Sequence, residues 1–260
     1  MKSLDIKDLK SLSGRRLFEK DTFSFRCHPG IDCFNKCCRN LNLYLYPYDV
    51  IRLKNSLNIS SDRFLDHHVD VVLRPGNFFP AVLLKMRNDE EKTCPFLTQK
   101  GCSVYPDRPD SCRTFPLELG LLSHSDPQRT EQIHLFRPPE FCLGQHENRE
   151  LTVKDWIADQ DAVDYNKMTV RWSEVKALFQ NDPWQGEGPN GKKGKMAFMS
   201  LYNMDEFRKF VFQSSFLKRY KIKKALLKVL ERDDVALMKF GFSWVKLFLF
   251  GIKSKQIRLR

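Results

Sequence analysis

The spacing of apolar and polar positions along this 260-residue chain changes several times, and each spacing predicts an element. In residues 47–57 a proline opens a run in which Val50, Ile51, Leu53 and Leu57 recur at helical intervals, which predicts a helix with Pro in its first turn. Ser60-Ser61-Asp62 is an N-cap signal for a short helix through His67. Short stretches rich in aromatic and aliphatic residues, 41–46, 78–86, 116–122 and 132–136, predict strands. Loops marked by Pro29-Gly30, Arg74-Pro75-Gly76 and Arg108-Pro109 separate them. From Thr152 the pattern is helical. Trp156, Ile157, Val163, Val170, Val175 and Leu178 predict one long helix over Thr152–Phe179. A Gly-, Pro- and Lys-rich linker follows, then three helices near Met204–Tyr220, Ile222–Arg232 and Asp234–Phe250.

The fold class expected is therefore α+β: a loop-rich, metal-binding cysteine domain with short strands, followed by an α-helical C-terminal module. The corresponding division is an N-terminal extension at 1–22, a cysteine domain at 23–145, the long helix at 152–181, the linker at 182–195 and a basic helical module at 196–260.

Apolar residues make up 42% and charged residues 29% of the chain, the balance of an ordinary globular protein. No uncharged apolar run approaches the roughly 18 residues of a membrane span. The first eight residues are charged and lack the apolar core of a secretory leader, so a reducing cytoplasm is the expected compartment. The net charge of +12 is unevenly placed, for residues 192–260 hold 18 Lys and Arg against 5 Asp and Glu. Such a basic module suggests an acidic partner: nucleic acid, an acidic protein or an anionic membrane surface. Solvated basic helix faces explain it equally well.

The cysteines carry the chemistry. All eight lie between Cys27 and Cys142: a first run of Cys27, Cys33, Cys37 and Cys38, a second of Cys94, Cys102 and Cys112, and then Cys142. In a reducing compartment, thiols clustered in this way read as metal ligands rather than as bridges. Adjacent residues point about 100° apart on a helix and to opposite faces of a strand. Cys37 and Cys38 are thus not equivalent ligands of one tetrahedral ion. Either they serve two centres, or one ligates while the other supports it or does redox work. Eight thiolates suit two four-thiolate centres, or one centre with four spare thiols. A zinc tetrathiolate or an oxidised 4Fe–4S centre carries about two negative charges, and Arg26, Lys36, Arg39, Arg108 and Arg113 stand close to cysteines in sequence.

These motifs are familiar in combination. Phe25-x-Cys27, Cys33-x3-Cys37-Cys38, Cys94-Pro95-Phe96-Leu97, Gly101-Cys102-Ser103-Val104-Tyr105, Arg108-Pro109-x2-Cys112-Arg113-x-Phe115-Pro116 and Cys142-x-Gly144 together resemble the YkgJ-type cysteine-cluster family over residues 23–145. The first gaps are longer than that family's C-x2-C-x2-C-C. The resemblance implies a zinc- or iron-chelating domain whose eight cysteines are the metal ligands, with a 4Fe–4S cluster favoured over zinc. The family's flagellin lysine N-methylases imply a second reading, a protein-lysine methyltransferase-like enzyme using S-adenosylmethionine. A third reading is a zinc-stabilised module that binds nucleic acid or membrane through its basic tail.

Other motifs fall short. Cys33-x3-Cys37 is followed by Asn40 where a radical S-adenosylmethionine enzyme needs a third cysteine. Residues 186–193 run G-x4-G-K-K, but Lys193 stands where a P-loop needs Ser or Thr. His28, beside Cys27, is a candidate replacement ligand, whereas His67, His68 and His134 sit on apolar-patterned segments and read as hydrogen-bonded structural residues. No catalytic residue can be assigned from spacing.

Overall fold

The computed structural model describes residues 2–5, 13–123 and 130–260. Most of the 1–22 extension can therefore be followed, but residues 1 and 6–12 lie outside what is described. In chain order the first strands are β1 (Lys2–Asp5), β2 (Arg15–Leu17) and β3 (Thr22–Ser24), followed by helices α1 (Pro47–Ser56) and α2 (Ser61–His68). Strands β4 (Val69–Val72), β5 (Ala81–Leu84), β6 (Leu97–Thr98) and β7 (Gly101–Cys102) precede α3 (Asp110–Thr114). Strands β8 (Leu117–Ser123), β9 (Thr130–Phe136) and β10 (Glu150–Thr152) lead into α4 (Val153–Asp159) and α5 (Val163–Ala177). The remainder is α6 (Lys192–Tyr202), α7 (Met204–Gln213), α8 (Phe216–Arg219), β11 (Tyr220–Lys221), α9 (Lys224–Leu230), α10 (Asp234–Phe250) and β12 (Arg258–Leu259). The class is α+β, with short sheets and a helical C-terminal half. Among the described residues, no helix is long and apolar enough to cross a membrane.

The chain forms two compact units, each made of two separate stretches: Met1–Leu43 with Met86–Ser173, and Tyr44–Lys85 with Glu174–Arg260. All eight cysteines belong to the first. Its main sheet runs β1-β8-β9-β2. Leu117, Leu119 and Leu121 alternate along β8 and oppose Phe136, His134 and Gln132 of antiparallel β9, which puts one face of the sheet toward the core. That core contains Leu17, Phe23, Phe25, Leu117, Cys142, Val153 and Trp156. The Trp156 indole meets Phe25 edge-on at 5.4 Å, and its N–H donates to the Thr114 carbonyl at 3.0 Å.

The single helix expected over Thr152–Phe179 is two helices. Thr152 caps α4 by accepting from the Asp155 N–H. The chain then breaks at residues 160–162, where Asp161 adopts a φ of 51° that an L-residue cannot repeat in a helix. Apolar residues on both sides of the break kept the helical period, which concealed it.

In the second unit, α1 starts as expected at Pro47, with the Asp49 carboxylate accepting the Tyr46 N–H at 2.8 Å. The strand expected at 41–46 is reduced to an isolated bridge between Tyr44 and Leu83, while β4 and β5 pair from Val69↔Leu84 to Val72↔Ala81. Helix α10 is the hub. Leu237, Met238, Phe240, Trp244 and Val245 are buried along it, Asp233 caps its first turn, and Gly251 ends it in the left-handed conformation. Gly241 lets α10 approach the Ser200 carbonyl of α6 so closely that a Cβ would collide with it. The stretch expected as a linker is not free chain. Trp184 within it is fully buried, and its indole N–H donates to the Phe78 carbonyl at 2.6 Å.

Candidate metal centre

The two cysteine runs are separated in sequence by residues 44–85, which fold into the other unit, and backbone pairing rejoins them. Phe25 is buried edge-on against Phe115 and Trp156. Its N–H donates to the Arg149 carbonyl at 2.9 Å, and that of Arg26 to the Gly144 carbonyl at 3.0 Å. Cys27 is thereby held beside the Cys142 loop. Asn35 takes a left-handed φ of 63° and starts a 3-10 turn over Lys36–Cys38. The Cys94 N–H then donates to the Cys38 carbonyl at 2.9 Å, and Asn40 donates to Lys92 at 3.0 Å. The two-residue strands β6 and β7 pair Leu97 with Cys102 and so link Cys94 to Cys102. Helix α3 presents Cys112.

Backbone amides point at sulfur in several places. The Leu143 N–H donates to Cys33 Sγ at 3.2 Å. The amides of Phe96 and Leu97 act to lower the Cys94 pKa, that of Val104 to lower Cys102, and those of Gly144 and Gln145 to lower Cys142. An N–H aimed at sulfur favours the thiolate over the thiol. This pattern is a ready environment for coordinated sulfur.

The thiols also sense one another. Cys33 and Cys142 are buried, Cys27 is exposed, and the other five are half-buried. Loss of hydration raises the Cys27 pKa first, and the sulfurs of Cys33, Cys142 and Cys38 raise it further. Burial likewise pushes up Cys94, Cys102 and Cys142, with Cys38 adding to the first two and Cys33 to the third. Cys37 and Cys38 share a hydrogen bond. It drives Cys37 far upward, helped by burial and then by Cys38, Cys112 and Cys27. The same bond lowers Cys38 to about 7 against its burial, with Arg39 helping. These electrostatic influences reach every one of the eight sulfurs, with Cys38 acting on Cys27, Cys37, Cys94 and Cys102.

Of the five flanking cations, Arg39 and Arg108 interact with cysteine sulfur. Arg39 lowers Cys38 and is held by Glu91 and the Asn35 carbonyl, both at 2.8 Å. Arg108 interacts with Cys112 and Cys102, lies 3.9 Å above the Tyr105 ring, and donates to the Tyr105 carbonyl and Gln160 Oε1. Arg113 points elsewhere: it donates to the Gln160 and Pro106 carbonyls at 2.7 and 2.6 Å and stacks on Tyr165. Arg26 and Lys36 are exposed. Sequence reasoning missed Gln160, whose side chain holds Arg108 and whose carbonyl holds Arg113. No local pattern marks it.

The histidines are engaged or remote. His28 accepts from the Gly30 N–H at 3.2 Å through Nδ1 and faces Glu147 at 3.5 Å through Nε2. His67 and His68 belong to the other unit. His134 is buried in β9, and among the described residues neither ring nitrogen has a hydrogen-bond partner, unlike the hydrogen-bonded role expected for it. Burial instead lowers it to about 4 and keeps it neutral.

A family model for residues 26–155, titled CxxCxxCC and described as a "Putative zinc- or iron-chelating domain", spans every one of these cysteines. The chain belongs to this family. Membership places it among metal-binding, cysteine-cluster proteins. No curated protein and no solved structure matches the chain. Among the described residues, no three His, Cys, Asp or Glu side chains are gathered in a metal-ready arrangement. The donor set nonetheless fits the family's metals in chemistry: eight soft sulfurs, amides aimed at four of them, and two arginines beside them.

Proposed function

We propose that the eight cysteines hold iron–sulfur centres as two sets of thiolates. Cys27, Cys33 and Cys142 form the nucleus of one, and Cys38, Cys94 and Cys102 the nucleus of the other. Cys37 and Cys112, which interact with each other, supply the fourth thiolates. The observation that supports this reading is the grouping of the sulfurs that sense one another: Cys33 and Cys142 act on Cys27, while Cys38, whose carbonyl accepts the Cys94 N–H, acts on Cys94 and Cys102. The amides at Cys33, Cys94, Cys102 and Cys142 and the charges of Arg39 and Arg108 offset the negative charge that such centres carry. When bound, an iron–sulfur group supplies one-electron chemistry, and the surrounding residues set its exposure and potential.

Anaerobic purification tests the proposal, with an absorption spectrum and analysis for iron, acid-labile sulfide and zinc. The expected result is brown protein with a broad band near roughly 400 nm and comparable iron and sulfide. Colourless protein with stoichiometric zinc and no sulfide contradicts it and makes the same cysteines a zinc site.

A further inference from the structure

The second unit carries a surface that the metal reading does not use. Strands β11 and β12 pair antiparallel, with Tyr220 opposite Leu259 and Lys221 opposite Arg258. The Arg260 N–H extends the ladder to the Arg219 carbonyl at 3.0 Å. Because side chains alternate along a strand, Lys221, Arg258 and Arg260 share one face of this ribbon and Tyr220 and Leu259 the other, while Arg219, the last residue of α8, is paired opposite Arg260 and joins the cationic side. Tyr220 packs 4.7 Å from the buried ring of Phe216, on the face away from the cations. All four cations are exposed, and among the described residues none has an acidic partner. The flanking chain does not supply one: residues 216–224 and 251–260 contain nine Lys and Arg and no Asp or Glu.

Like charges directly opposite each other oppose strand pairing, yet here the pairing sets Lys221 against Arg258. A bound polyanion would remove that repulsion. We infer that this ribbon binds the phosphodiester backbone of a nucleic-acid duplex without regard to sequence. Three of the four cations are arginines, whose planar forks suit phosphate. Four cations set near 5 Å across the strands and near 7 Å along them meet a dense row of phosphates on a duplex, which presents one charge per about 1.7 Å of axis. The outer face carries no aromatic ring for stacking on bases, which argues against single-strand recognition. Leu259, 65% exposed, lies on the opposite face, so cations and apolar groups do not share the surface that insertion into lipid requires.

Fluorescence anisotropy of the full chain with a labelled DNA duplex tests this. With four phosphate contacts, the slope of log K against log salt is about −4. Arg258→Ala with Arg260→Ala should weaken binding about tenfold or more at low salt and cut the slope by about two. Lys20→Ala with Lys154→Ala, which removes two exposed charges from the other unit, should leave it unchanged. Circular dichroism confirms that both variants fold. Equal loss in the two variants overturns the inference by reducing the effect to net charge. So does failure to bind duplex, including the case where phosphatidylserine vesicles or polyglutamate are bound instead.

Discussion

The backbone N–H of Cys94 donates to the carbonyl of Cys38 at 2.9 Å, and this bond ties the two cysteine runs together across the residues that fold into the other unit. It fixes one cysteine of the adjacent pair toward the second run. Cys37 is hydrogen-bonded to Cys38 and also senses Cys112 and Cys27.

Phe25 sets the approach of Cys27. It is 1% exposed and packed edge-on against two rings. Phe25→Ala is expected to cost about 3–5 kcal/mol, read as a lower urea midpoint, and to reduce retained metal. An unchanged midpoint would show that the core does not depend on this anchor.

Arg108 tests the charge argument without touching a ligand. Arg108→Gln removes the cation beside Cys102 and Cys112 but keeps a hydrogen-bonding group toward Tyr105 and Gln160. Faster loss of metal to a chelator is expected, with Arg108→Lys intermediate. Equal rates in all three proteins would exclude electrostatic support from this position.

Lys54 in the second unit is 9% exposed at its side chain and lies 2.8 Å from Asp234 and 3.5 Å from Asp205. Arg208 also pairs with both carboxylates, and Ser61 donates to Asp205 through N and Oγ. Lys54→Met leaves two poorly hydrated carboxylates sharing one cation. A loss of about 3–5 kcal/mol is expected, measured by denaturant unfolding. A neutral result would mean that Arg208 alone neutralises the pair.

His134 predicts an acid-sensitive step. Its pKa falls to about 4 in the fold, below the ordinary value near 6.5. Between those values the unfolded chain binds the extra proton, so stability present above pH ~6.5 is lost as pH falls toward ~4. The full effect is roughly 3 kcal/mol. His134→Leu should flatten the stability profile in that window, and identical slopes for both proteins would refute the assignment.

Local signals revealed a good part of this fold. Pro47 and its periodic neighbours mark α1, the alternating leucines mark β8, and Asp233 with Gly251 bounds α10. The cysteines that the Cys, Pro and Arg motifs mark all belong to the first unit. What the chain hides is non-local. The burial of Trp184 depends on Phe78, far upstream, and turns an apparent linker into core. The turn at Asp161 interrupts a pattern that stays apolar on both sides. Gln160 gains its role only because α3 brings Arg108 and Arg113 to it. The helix expected near Met204–Tyr220 does bury aromatic rings, among them Phe207 and Phe216.

The most direct test compares iron and sulfide content in two triple variants, Cys27→Ser/Cys33→Ser/Cys142→Ser and Cys38→Ser/Cys94→Ser/Cys102→Ser, purified anaerobically beside the unaltered protein. Two thiolate sets predict that each variant loses one centre and keeps about half of the iron and sulfide. Full content in either variant, or zinc without sulfide in the unaltered protein, would contradict the assignment.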